Sequence, residues 1–62
     1  MKFKKLLELY DDWNGITVVN DKNSKRIVRD NTLTIFETRK DLYEKEVIAF
    51  GFYDNELCVR VK

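Results

Sequence analysis

Residues 47–61 read VIAFGFYDNELCVRV, two apolar runs joined by Asp54-Asn55. This dipeptide tolerates the positive φ angles of a two-residue hairpin turn. A turn there sets Phe52 opposite Leu57, Phe50 opposite Val59 and Ile48 opposite Val61. All six are large and apolar, so turn chemistry and side-chain alternation agree, and their shared face is expected to be the floor of the core. The reverse face then carries Val47, Ala49, Gly51 and Tyr53 beside Glu56, Cys58 and Arg60.

The element that should lie on that floor is at the start of the chain. Phe3, Leu6, Leu7, Tyr10 and Trp13 recur at steps of three and four, one stripe of an α-helix, with Lys4, Lys5, Glu8, Asp11 and Asp12 turned to water. Asn14-Gly15 is a natural stop, since glycine closes a helix in the left-handed conformation without steric cost. Asp11 and Asp12 would then occupy the last turn, the unfavourable end of the helix dipole for negative charge.

The stretch between helix and hairpin favours extended chain. Ile16, Thr17, Val18 and Val19 are β-branched, residues 20–24 form a polar reversing loop, and residues 26–29 and 32–38 flank Asp30-Asn31 as a second hairpin. Its register is open between Val28 opposite Leu33, which sets Arg26 opposite Ile35, and Ile27 opposite Ile35, which sets Lys25 opposite Glu37 and is favoured. Residues 38–46 read as a charged connection with room for one helical turn around Leu42-Tyr43. The expected architecture is one α+β domain over residues 1–62: an N-terminal amphipathic helix packed on one face of an antiparallel sheet of about five strands, with a half-open barrel as the alternative.

Composition bounds the function. With 62 residues the chain has room for one core, and a domain this small is thinly stable, so self-association is expected to add to it. Twelve Lys+Arg against 11 Asp+Glu give a net charge of +1, which supplies neither the field of a general nucleic-acid binder nor that of an acidic mimic. One cysteine forms no internal disulfide and points to a reducing cytoplasm. Residues 1–5 are basic, but the apolar run behind them is only Leu6 and Leu7, so export is not expected; no stretch approaches the roughly 20 apolar residues of a membrane-spanning helix.

Catalytic chemistry is poorly supplied, and the protein is not expected to be an enzyme. There is no histidine, and no candidate nucleophile has an evident base. Cys58 sits mid-strand and reads as a small half-buried side chain. Asp11, Asp12, Asp54 and Glu56 could meet at one end of the sheet, but solvated surface charge explains them better, and Asp21-Lys22-Asn23-Ser24 lacks the glycine and distal glutamate of a calcium loop. Gly15 and Gly51 are isolated, so no phosphate loop exists. No cofactor and no metal is expected.

Two binding readings remain. In the first, Val47, Ala49, Gly51, Tyr53, Cys58 and Arg60 form a partner-binding face for another protein or a second copy of the chain. Tyr53 and Arg60 would be its anchors, and Ala49 and Gly51 would admit the partner closely. That reading requires the face to be open; the competing arrangement has the sheet curl and the connection with Leu42 and Tyr43 cover it. In the alternative, Lys22, Lys25, Arg26 and Arg29 on one hairpin hold nucleic acid.

The segments Leu9-Tyr10-Asp11-Asp12-Trp13-Asn14-Gly15, Val19-Asn20-Asp21 and Ala49-Phe50-Gly51-Phe52-Tyr53-Asp54, followed by Leu57 and Val59-Arg60-Val61, resemble short accessory proteins of Gram-positive phages and integrative elements. The family has no assigned activity and transfers no catalytic residue. The resemblance implies a mobile element in a bacterial cytoplasm, where proteins of this size often act by binding a host or element protein, inhibitors of defence nucleases among them.

Overall fold

The computed structural model describes all 62 residues, Met1–Lys62. In chain order they form α1 (Phe3–Leu9), β1 (Ile16–Asn20), β2 (Arg26–Asn31), α2 (Thr32–Thr38), one 3-10 turn (Lys40–Leu42), β3 (Val47–Tyr53) and β4 (Glu56–Val61). The class is α+β, as expected, but the sheet has four strands in the order β2-β1-β4-β3, and it is mixed. Each hairpin is antiparallel within itself, while the inner strands β1 and β4 run parallel.

The missing fifth strand is α2. Asp30-Asn31 does not turn a hairpin; Asn31 instead caps a helix, its side-chain oxygen accepting from the N–H groups of Leu33 (3.0 Å) and Thr34 (3.3 Å). The same amide donates to the carbonyl of Asn14 at 3.2 Å, and Thr32 donates its N–H (2.9 Å) and its hydroxyl (3.1 Å) to the carbonyl of Gly15. The strand-favouring residues of 32–38 are thereby held helical, with Ile35 buried in the core and Phe36 packed against it. Because α2 and the 3-10 turn cross one face of the sheet, the second hairpin returns with β4 alongside β1 in the same direction.

Helix α1 is shorter than the apolar stripe suggests. It stops at Leu9, and Tyr10 is already extended (φ −87°, ψ 130°), so Asp11 and Asp12 escape the unfavourable end of the dipole. Gly15 has no positive φ and does not cap it. Trp13 reaches the core by a turn instead, donating from its indole N–H to the carbonyl of Leu7 at 3.0 Å and packing on Phe36 with ring centroids 4.5 Å apart. Seven residues are too few for a self-sufficient helix. The first-turn N–H groups of α1 are satisfied by other parts of the chain, Phe3 donating to Lys45 (2.9 Å) and Lys4 to Tyr43 (3.1 Å).

The core lies between the helices and one face of the sheet. Phe3, Leu6 and Leu7 of α1, Ile35 of α2 and Leu42 of the 3-10 turn close over Val19 of β1 and Leu57, Val59 and Val61 of β4. Beside it, a buried chain of hydroxyls ties sheet to helix: Thr17 to Thr32 at 2.7 Å, then Thr32 to the carbonyl of Gly15. Because the Thr32 hydroxyl proton serves Gly15, Thr17 is the donor of the pair. Thr32→Val should therefore cost more than Thr17→Val, about 1–3 kcal/mol, since it strands the Thr17 hydroxyl in the core. The double Thr17→Val/Thr32→Val variant should be no less stable than Thr32→Val alone, which urea denaturation of the three variants will measure.

Candidate protein-interaction surface

Of the expected cross-strand pairs in the second hairpin, Phe52 with Leu57 and Phe50 with Val59 form, closed by Asp54 (φ 53°) and Asn55 (φ 64°) in the left-handed region. The third does not. Val47, not Ile48, pairs with Val61, because a β-bulge places Ile48 between Val47 and Ala49 as an extra residue. This corrects two placements. Val47, expected on the outer face, packs against the core, and Ile48, expected in the core floor, is half exposed.

The floor itself divides between its two strands. The β4 residues Leu57, Val59 and Val61 are buried, but their β3 partners are not: Phe50 is 57% exposed and Phe52 59%, with Ile48 at 51%. The reason is lateral position: β3 is the outermost strand, and the core closes over its neighbour β4. Only Tyr10 reaches over, with its ring 5.7 Å from that of Phe52. Sequence reasoning missed this exposure because alternation tells which face a residue is on and says nothing of whether its strand is inner or outermost in the sheet.

On the other face of the sheet no helix packs. The connection that might have covered it lies on the core side, where Leu42 is buried and Tyr43 stacks on Phe36 and donates to its carbonyl. Ala49, Gly51, Cys58 and Arg60 line a shallow depression of about 180 Å³ together with Asn20 and Ser24. The Arg60 guanidinium points at the Ser24 hydroxyl, 3.5 Å away. Tyr53, 68% exposed, folds its ring over Gly51, where a Cβ would lie in ordinary contact with it at 3.4 Å. Cys58 is half-buried, with Glu56's carbonyl its one polar neighbour at 3.8 Å.

The outer edge of β3 is also bare. Met1 and Lys2 run beside its beginning, with the N–H of Val47 donating to the carbonyl of Met1 and a bridge between Lys2 and Glu46. Past the bulge, from Ala49 to Tyr53, β3 pairs only with β4. No residue of 47–53 is charged.

The basic hairpin is arranged differently. Lys22, Lys25 and Arg26 are exposed around the β1–β2 turn, whereas Arg29 makes a two-point contact with Glu56, at 3.2 and 2.5 Å, that spans β1 on the outer face. Asp11, Asp12 and Asp54 do not converge with Glu56, and no group of three or more potential ligands could hold a metal ion. No helix is long and apolar enough to cross a membrane. Comparison with protein-family models, curated proteins and solved structures finds no match to this chain.

The Arg29 contact has a pH consequence. Hydrogen bonds from the guanidinium, helped by its charge and opposed by some desolvation, hold the Glu56 carboxyl below the usual glutamate range. The stabilisation is complete above the unfolded glutamate value of about 4.3 and is lost as pH falls through the lower folded value. Thermal melts from neutral to acid pH should show this loss in the native chain and a shallower acid dependence in Glu56→Gln.

Proposed function

We propose that this protein is a small non-catalytic interaction module that binds another protein through β3. A single observation supports the reading: past its bulge the uncharged strand β3 is open along its outer edge, with Phe50 and Phe52 facing water on the helix side and Ile48 exposed at the bulge. Soluble proteins ordinarily blunt such an edge with charge, proline or cover. On the outer face Ala49 and Gly51 give a low surface, with Tyr53 and Arg60 as anchors and Cys58 as part of its floor. The partner can be a second copy or, in the mobile-element setting that the resemblance implies, a host or defence protein in the bacterial cytoplasm whose activity the module modulates.

The test uses tagged full-length protein beside the folded variants Ala49→Glu and Phe52→Glu, with partners recovered at low and high salt. A polypeptide, or untagged copies of the chain, should remain bound to the native protein at about 0.5 M salt, where charge contacts are screened, and should be lost from both variants. Retention by the folded variants overturns the proposal. So does recovery of nucleic acid alone, released as salt rises.

A further inference from the structure

The open edge of β3 has a self-complementary form, and we infer that its occupant is a second copy of this chain, paired antiparallel about Gly51. The inference rests on β3 being the binding element and names what binds there. Three features on the strand carry it.

The first is the length of edge on offer. Met1 and Lys2 occupy the approach to β3, and the bulge at Ile48 distorts the strand just after it, so the regular free edge is Ala49 to Tyr53. Its middle residue is Gly51. Across the two-residue turn Tyr53 and Glu56 form a hydrogen-bonded pair, and alternation then directs the N–H and C=O groups of Phe50 and Phe52 outward. Two copies related by a two-fold axis through Gly51 bring Phe50 of each opposite Phe52 of the other, which matches four outward donors with four outward acceptors.

The second is the residue pattern. A two-fold antiparallel pair needs a segment that reads alike in both directions, and Phe50-Gly51-Phe52 does. On the helix side the pairing gathers four phenylalanines, replacing water with aromatic cross-strand contacts. On the outer face it sets the small Ala49 opposite the large Tyr53, and Gly51 opposite Gly51 adds no side chain of its own at the axis, where the two Tyr53 rings lie nearby. No like charges meet, because the paired segment has none.

The third is area. With roughly 200 Å² for a large side chain, the exposed parts of Ile48, Phe50, Phe52 and Tyr53 amount to roughly 450 Å² per copy. With the main-chain edge, two copies offer an upper bound near the roughly 1,200 Å² at which specific interfaces begin. Pairing would make one continuous sheet of eight strands and leave β2 as the outermost strand at each end.

Sedimentation equilibrium over a concentration series tests the state, and cysteine cross-linking tests the register. The native chain should approach twice its 7.5 kDa mass as concentration rises, with a melting temperature that rises in step. Phe50→Lys, exposed in the single chain, should stay folded by circular dichroism, remain at the mass of one chain, and melt independently of concentration. In the non-hydrogen-bonded pair at the axis the two Cα atoms lie about 4.5 Å apart, within disulfide range. Mild oxidation of the Gly51→Cys/Cys58→Ser variant should therefore link two chains, and that of Ala49→Cys/Cys58→Ser should not. A native chain of single mass at all concentrations overturns the inference. So does a dimer that survives Phe50→Lys, one that links through position 49 instead of 51, or growth beyond two copies. If the chain stays single yet captures another protein that Ala49→Glu and Phe52→Glu lose, the binding role of β3 stands and only the identity of the occupant falls; if it captures nothing, both fall.

Discussion

The junction between β2 and α2 is the constraint on which the rest of the architecture depends. At Asn31 and Thr32 the chain passes from strand to helix without an intervening loop, and both residues are fastened to the carbonyls of Asn14 and Gly15 at the entrance to β1. This removes residues 32–38 from the sheet and lays them on its face. The second hairpin must then insert β4, not β3, next to β1. The distinctive features of β3 follow: it is an edge strand that, past Val47, has its large apolar side chains exposed.

Much of this was legible in the sequence, and the part that was not has a physical explanation. The hairpin about Asp54-Asn55, the β1–β2 hairpin and the buried stripe of Phe3, Leu6 and Leu7 follow from turn chemistry and periodicity, which are local properties. The error at 32–38 arises because Thr, Ile and Phe carry strand propensity of only a few tenths of a kcal/mol each, which a helix cap and a buried hydroxyl pair outweigh. Asn31 followed by Thr32 was the available signal, since asparagine serves a helix start as well as a turn. The bulge at Ile48 left no trace in the alternation, and its effect was to turn Val47 to the core and leave Ile48 exposed.

The two faces of the sheet are built on different terms. The helix side is held by burial, from Phe3 across to Val61, and depends little on charge. The outer side is flat and has Val18 buried at its centre, flanked by Arg29 and Cys58 in neighbouring strands, with the Arg29–Glu56 contact reaching across β1. That contact engages the one basic residue of the hairpin set that lies on the sheet proper. Lys22, Lys25 and Arg26 are left near a turn, whereas Phe36 packs against the core with Tyr43 stacked on it.

The position of β4 within the sheet also governs how the molecule comes to be made. Although it follows every other element in the chain, it is an inner strand and supplies Leu57, Val59 and Val61 to the core. During synthesis, β1 therefore has no neighbour on its inner edge until Glu56–Val61 leaves the ribosome, and the growing chain carries a hairpin and two short helices with nothing to close upon. Closing of the core therefore waits on Glu56–Val61, and the wide separation along the chain between β1 and β4 slows that step.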